Sequence, residues 1–218
     1  MIVCIDGPAG AGKSTAARAL AKRLGFRFLD TGAMYRAVTL AAVRAKLDWD
    51  DAAKLVQLAR GLDIEVTESH VLLNGEDVTM AIRTPEITLH THYAADNPQV
   101  RELLVQLQRA AARNLDVVTE GRDQGTVVFP GAECKIFLTA SPEERARRRV
   151  ADFARRGETV SYEEVLAQQN LRDQRDSDRE AGPLLRADDA VAVSTDGLVS
   201  EEVVDQLETL VRKHVQAK

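Results

Sequence analysis

A glycine-rich octapeptide near the start of the chain carries the clearest chemical pattern in the sequence. Two glycines separated by four residues are followed directly by lysine and serine, the pattern of a phosphate-binding loop. Glycines let successive backbone N–H groups turn toward phosphate oxygens. Lys13 adds a positive charge at the β- and γ-phosphates, and the Ser14 hydroxyl can bind magnesium. The residues expected to hold a triphosphate are Gly7, Pro8, Ala9, Gly10, Ala11, Gly12, Lys13, Ser14 and Thr15.

The segments on either side of this loop have the required patterns. Residues 2–5 form an apolar, β-branched run typical of a buried strand, and apolar residues recur at helical spacing from Ser14 until Gly25. A helix that begins at the loop presents the positive end of its dipole to the same anion. This context predicts a nucleoside triphosphate site and disfavours the alternative of a glycine-rich turn without a ligand.

Further along the chain, strand and helix patterns alternate, which predicts a parallel sheet in the α/β class. The predicted strands are 2–5, 26–29, 117–119, 135–138 and 190–193. A turn is expected at 30–32, between the second strand and a helix over 34–46. The rhythm breaks at 61–79, where two short strand patterns and the hairpin dipeptide Asn74-Gly75 predict a small inserted antiparallel sheet.

Composition limits the possible function classes. The chain has 218 residues and a net charge of −5, which predicts one domain with an inserted lobe and argues against nucleic-acid binding through bulk positive charge. Cys4 and Cys134 lie far apart in apolar runs, so buried thiols in a reducing cytosol are expected. Residues 1–5 are too few for a signal peptide or membrane span. We therefore expect a soluble cytoplasmic protein.

Several longer blocks resemble bacterial cytidylate kinases of the P-loop nucleoside monophosphate kinase family. They keep the family's order and spacing at 30–36, 74–79, 82–86, 120–130, 135–138 and 172–179. The resemblance implies an adenylate-kinase-like P-loop fold in one domain, with a five-stranded parallel sheet flanked by helices. It also implies a core over 1–60, 99–147 and 166–218, a small antiparallel-sheet lobe for the monophosphate at about 61–98, and a short helical lid at about 148–165.

The same resemblance assigns roles to individual residues. It implies that Lys13, Arg122, Arg148 and Arg172 serve phosphoryl transfer and that Arg149 joins the ATP site. The implied acceptor residues are Thr31, Tyr35, Arg36, His92, Arg101, Arg122, Asp123, Arg172, Asp176 and Arg179. From the residues alone, Arg36 and Arg101 can also be solvated helix residues. The pair Arg172 and Asp176 can likewise be a surface i,i+4 ion pair.

Two positions depart from the family pattern. His92 takes the place of a serine that touches the base, which makes the base preference less secure. Gln124 stands where an apolar residue is usual, and the sequence offers no physical reason for it. His90 and His92 lack nearby cysteine or paired acidic ligands, so a metal site there is disfavoured.

The expected reaction is transfer of the γ-phosphate of Mg²⁺-bound ATP to CMP or dCMP, giving the diphosphate and ADP. The expected partners are these nucleotides, with no nucleic acid and no membrane, and the resemblance implies a monomer. Two alternatives stay open from the sequence. One is a P-loop kinase for another small acceptor such as UMP or shikimate, and the other is a nucleotide-sensing NTPase module.

Overall fold

The computed structural model describes residues 1–67 and 69–216. The predicted inserted lobe and the last predicted core segment each include residues outside these ranges. The strands are β1 Ile2–Asp6, β2 Arg27–Asp30, β3 Ile64–Val66, β4 Val71–Leu73, β5 Glu76–Asp77, β6 Val117–Gly121, β7 Cys134–Thr139 and β8 Val191–Ser194. The helices are α1 Lys13–Leu24, α2 Thr31–Arg44, α3 Ala52–Arg60, α4 Pro85–Asp96, α5 Pro98–Ala111, α6 Pro142–Arg155, α7 Tyr162–Asp178 and α8 Ser200–Gln216.

The central sheet contains five parallel strands in the order β2-β6-β1-β7-β8. One apolar cluster joins β1 to α1 and α8 and includes Leu20 and Leu207. A second cluster, which includes Val38 and Leu104, joins α2 and α5 to the other side. Because helices cover both faces and all strands run the same way, the carboxyl ends of the strands form one edge where ligands can bind. The predicted five-stranded parallel sheet is confirmed.

The inserted antiparallel sheet is also confirmed. It has three strands in the order β3-β4-β5. Asn74 and Gly75 have φ angles of 51° and 81°, as a tight hairpin turn between β4 and β5 requires.

The turn predicted at 30–32 is wrong. Helix α2 begins at Thr31, directly after β2, because the Asp30 carboxylate accepts a hydrogen bond from the Ala33 N–H at 3.0 Å and caps the helix. The early start matters for the site, since it places Thr31 and Tyr35 on a rigid helix at the edge of the sheet.

Two further sequence expectations concern burial and membranes. Cys4 and Cys134 are buried free thiols, as predicted. Among the helices of the described ranges, none combines the length and apolar character that crossing a bilayer requires.

Candidate active site

A cleft of about 800 Å³ opens at the carboxyl edge of the central sheet. The phosphate-binding loop forms one end, and side chains from α2, α5, α7 and the loop after β6 form the other. Most of the predicted site residues line it: Ala9 to Thr15, Thr31, Tyr35, Arg36, Arg101, Arg122, Asp123, Arg148, Arg149, Arg172, Asp176 and Arg179. Gly7, Pro8 and His92 are not among the lining residues.

The glycines of the loop have positive φ angles that other residues rarely adopt. Gly7 has a φ angle of 147°, and a Cβ atom there would lie 1.9 Å from the Leu138 carbonyl oxygen on the neighbouring strand β7. Only glycine lets the chain leave β1 at this point. Gly12, the residue before α1, has a φ angle of 86°, in the left-handed region that favours glycine. The first turn of α1 lines the cleft.

Lys13 is held at the centre of the loop. Its Nζ donates a hydrogen bond to the Pro8 carbonyl oxygen at 2.8 Å. Burial, followed by the positive charge of Arg122, lowers the pKa of Lys13 to about 7. The groups around Lys13 therefore do not offset the cost of burying its positive charge. A phosphate group bound in the loop supplies the negative charge that stabilises the ammonium.

Ser14 and Glu120 provide oxygen atoms of the type that magnesium prefers. The Ser14 hydroxyl donates to Glu120 Oε1 at 2.7 Å, and both residues line the cleft. Within the described ranges there is no group of three or more acidic, histidine or cysteine side chains that could form an all-protein metal site. Magnesium commonly binds through one or two protein oxygens together with substrate phosphates and water, so these residues fit it.

A buried arginine braces the back of the loop. Arg145 is 3 % exposed and donates to the carbonyl oxygens of Ala9 at 2.9 Å and Ala140 at 3.0 Å. It also forms an ion pair with Asp173 of α7 at 2.6 Å. This side chain therefore connects the phosphate-binding loop to the helix that carries Arg172.

We expect Arg145→Met to lower the melting temperature by about 6–10 °C, because it leaves the Asp173 carboxylate without its partner. Thermal unfolding of the ligand-free protein measures the change. Arg147→Met is the control, since Arg147 lies on the same helix with an exposed side chain. Equal changes in melting temperature for the two variants would contradict the role of Arg145 in connecting the loop to α7.

The acceptor end of the cleft is formed by paired charges on three elements. Arg101 of α5 is buried, forms an ion pair with Asp123 and lies with its guanidinium carbon 5.4 Å from the centre of the Tyr35 ring. The Thr31 hydroxyl donates to the Glu120 carbonyl oxygen at 2.6 Å. Arg36 bonds Asp30 through Nη2, and its buried Nε makes no hydrogen bond to any described residue.

Three arginines surround one carboxylate between the two ends. Arg122 Nε donates to Asp176 Oδ2 at 2.7 Å, and Arg179 lies 3.8 Å from Asp176 Oδ1. Arg172 is accessible from the cleft, yet desolvation by the surrounding walls, followed by the charge of Arg122, lowers its pKa to about 10. Arg122 lowers the pKa of Lys13 as well. This excess of positive charge favours a ligand that brings several negative charges.

Arg148 lines the cleft, and its guanidinium is held by hydrogen bonds to neighbouring groups. Its guanidinium donates to the Thr195 hydroxyl at 2.9 Å and the Thr195 carbonyl oxygen at 2.6 Å, and Nε donates to Glu144 at 3.0 Å. In this conformation it fastens the end of β8 to α6. The catalytic role of Arg148 stays a prediction.

His92, in contrast, is not among the residues that line the cleft. Its Nδ1 is 2.8 Å from the Leu89 carbonyl oxygen, and its ring packs 4.1 Å from the ring of Tyr93. Residues of the same helix that do line the cleft are Thr88, Thr91 and Ala95. A contact between His92 and the acceptor base stays a prediction.

Sequence patterns missed several residues that complete the site. Gly182 has a φ angle of 61°, and a Cβ atom there would lie 2.2 Å from both Arg101 Nη2 and Asp123 Oδ2, so its loop closes over this ion pair. Thr195, Leu198, Val199 and Val203 line the donor end after β8. Their place at the carboxyl end of a predicted strand was the available clue.

Comparison with known proteins identifies the family. A family model described as cytidylate kinase matches residues 3–213. The chain belongs to the cytidylate kinase family. A cytidylate kinase of Rhodopirellula baltica is 52 % identical over 217 residues, which cover 100 % of this chain and 95 % of that protein. A cytidylate kinase of Geobacter sulfurreducens is 49 % identical over 221 residues, with 100 % and 95 % covered.

More distant solved structures share the fold of this cytidylate kinase family member. A shikimate kinase from Bacteroides thetaiotaomicron superposes with a TM-score of 0.51 at 16 % identity, covering 97 % of this chain and 98 % of that one. At that identity the likeness concerns the architecture alone.

Proposed function

We propose that this protein transfers the γ-phosphate of ATP to CMP or dCMP. One observation carries the proposal: in a chain of the cytidylate kinase family, a single cleft has a phosphate-binding loop at one end and carboxylate-paired arginines at the other. An oxygen of the CMP phosphate attacks the γ-phosphorus, and the bond from that phosphorus to the β–γ bridging oxygen breaks. The products are CDP, or dCDP from dCMP, and ADP.

Phosphoryl transfer depends on positioning and on neutralising charge. Lys13 and the backbone N–H groups of the loop hold the β- and γ-phosphates. Arg122 and Arg172, which lie between the two ends of the cleft, hold the acceptor phosphate close to the γ-phosphate and reduce repulsion between the two anions. Asp176 orients Arg122 through the 2.7 Å hydrogen bond and keeps the guanidinium plane fixed.

Magnesium bound with ATP neutralises phosphate charge and polarises the γ-phosphoryl group. The Ser14 hydroxyl is the protein ligand we assign to it, and Glu120 accepts a hydrogen bond from that hydroxyl.

Selection of the acceptor rests on the other end of the cleft. Tyr35 and Thr31 line the nucleoside pocket, and Arg36, which also lines the cleft, directs its guanidinium to the acceptor phosphate. Arg101 and Asp123 present donor and acceptor atoms to the base, while Arg179 adds charge on the acceptor side. A cytosine edge offers both kinds of hydrogen-bonding atom, which this pair can satisfy.

The proposed division of the chain follows the cleft. Residues 61–98 form the monophosphate-binding lobe and 148–165 form a lid, with Gly157 as a hinge at a φ angle of 77°. Arg149 acts from this lid on the ATP phosphates. We extend the proposal to a monomer that works in the cytoplasm, in keeping with the family resemblance.

The test is ADP release from Mg²⁺-ATP with CMP, dCMP, UMP, AMP or shikimate as the sole acceptor, next to a reaction without acceptor. Fast turnover with CMP and dCMP alone supports the proposal. If UMP is used as fast as CMP, the proposed kinase activity stands, and the altered choice of base is assigned to the region of His92. A rate of ADP release that is the same with every acceptor and without one would overturn the proposed function.

A further inference from the structure

Gln124 is a buried amide at a position where the family pattern leads one to expect an apolar side chain. It is 1 % exposed and begins the π-helical turn Gln124–Val128, directly after Asp123. Burying an amide costs free energy unless its polar atoms are hydrogen bonded. The identity of its partners therefore shows what the substitution provides.

The polar atoms of Gln124 join three separate elements. Its side-chain Oε1 accepts from the Thr119 hydroxyl of β6 at 2.8 Å, and its Nε2 donates to Gln108 Oε1 of α5 at 3.1 Å. Its backbone N–H donates to Asp6 Oδ1, at the end of β1, at 2.8 Å. An apolar residue at this position would keep the backbone bond and lose both side-chain bonds.

These partners lie directly behind the acceptor end of the cleft. Gln108 follows Arg101 by two helical turns on α5, and Asp123 precedes Gln124 in the chain. Burial raises the pKa of the Tyr35 hydroxyl, and the positive charge of Arg101 on α5 acts in the opposite direction. The amide bonds thus connect the helix that carries Arg101 with the loop that carries Asp123, which are the two halves of the buried ion pair.

The packing leaves little room for the loop to shift. A Cβ atom added at Gly121 would lie 2.8 Å from Gln124 Cγ, so the side chain fills the space beneath the start of the loop. Because Arg122 and Asp123 lie between these two residues, their backbone is fixed at both ends.

We propose that Gln124 is a positioning residue for the acceptor nucleotide, which acts by fixing Asp123 relative to Arg101 through its bonds to Gln108 and Thr119. The proposal rests on the function proposed above. It predicts an effect on the acceptor alone, because the amide lies behind the acceptor end and contacts no residue of the triphosphate loop through its side-chain bonds.

The test is Gln124→Met, which keeps the length of the side chain and removes both polar atoms. We expect the KM for CMP to rise about five- to tenfold, because Gln108 and Thr119 lose their partner and the loop loosens. The KM for ATP is expected to stay within about twofold of wild type. Calorimetric titration of CMP should show the same loss of affinity without turnover.

Val128→Ala is the matched control, since Val128 is a buried apolar residue of the same turn. Similar loss of thermal stability in both variants, with a raised KM for CMP only in Gln124→Met, supports the proposal. A parallel rise in the two KM values, or an equal effect of Val128→Ala on CMP, would overturn it.

Thr119→Val tests the same network with a substitution of nearly equal shape. It should raise the KM for CMP about two- to threefold. In the double variant Gln124→Met, Thr119→Val, the KM for CMP should rise by less than the product of the two single effects, because both substitutions break the same hydrogen bond between Thr119 and Gln124. An unchanged KM for CMP in Thr119→Val would contradict the role of Gln124, even where Gln124→Met does not fold. Failure of the wild-type protein to use CMP would instead overturn the proposed function itself.

Discussion

Lys13→Met is expected to lower kcat by about 100- to 1000-fold. In the proposed mechanism, the Nζ atom of Lys13 is the positive charge at the transferring group, and methionine keeps the length of the side chain without that charge. Initial-rate measurements with saturating ATP and CMP give the change directly. Lys22→Met is the control, because Lys22 lies on the same helix and is exposed. A kcat within tenfold of wild type would contradict this assignment.

The same substitution should raise the thermal stability of the nucleotide-free protein. Burial lowers the pKa of Lys13 to about 7, from an ordinary value of 10.5. Between these values the unfolded chain binds more protons than the folded one, so the contribution of Lys13 to stability improves as pH rises. The melting temperature of Lys13→Met should therefore exceed that of wild type at pH 6, and the difference should narrow by pH 9.

Arg122→Met is expected to reduce kcat/KM for CMP by about 1000-fold while the KM for ATP stays within about threefold. Arg122 lines the cleft, and in the proposed mechanism its positive charge offsets that of the acceptor phosphate as this group approaches the γ-phosphate. Loss of this group also leaves Asp176 without the donor at 2.7 Å.

Two variants make the Arg122 result specific. Arg122→Lys should recover little activity, because an ammonium cannot form the planar two-point contact of a guanidinium with phosphate. Arg113→Met, which changes an exposed arginine after α5, should behave as wild type. Full recovery in Arg122→Lys, or an equal rise in the KM for ATP, would contradict the placement of Arg122 at the acceptor.

The parts of the fold that sequence predicts are those determined by short-range patterns. The phosphate-binding loop, the strand before it and the helix after it occupy one continuous stretch, and the Asn74-Gly75 hairpin depends on two adjacent residues. The turn expected at 30–32 failed because a single capping bond from Asp30 started α2 early.

The unpredicted parts of the site depend on contacts between distant segments. Arg145 braces Ala9 across 136 positions, and Arg148 bonds Thr195 across 47. The buried amide of Gln124 depends on Gln108, which lies beside it on α5 and accepts its hydrogen bond. Sequence spacing on one helix cannot reveal which side chain of another element lies opposite. The sequence therefore predicts the charged residues near the loop better than it predicts the side chains that position them.

Transfer of label from γ-³²P-ATP to CMP tests the central claim most directly. Purified wild-type protein with Mg²⁺, labelled ATP and CMP should give labelled CDP in equal amount to ADP, and Lys13→Met should give almost none. Label that appears as inorganic phosphate at the same rate with and without CMP would contradict the account, because the arginine-lined end of the cleft would then have no part in the reaction.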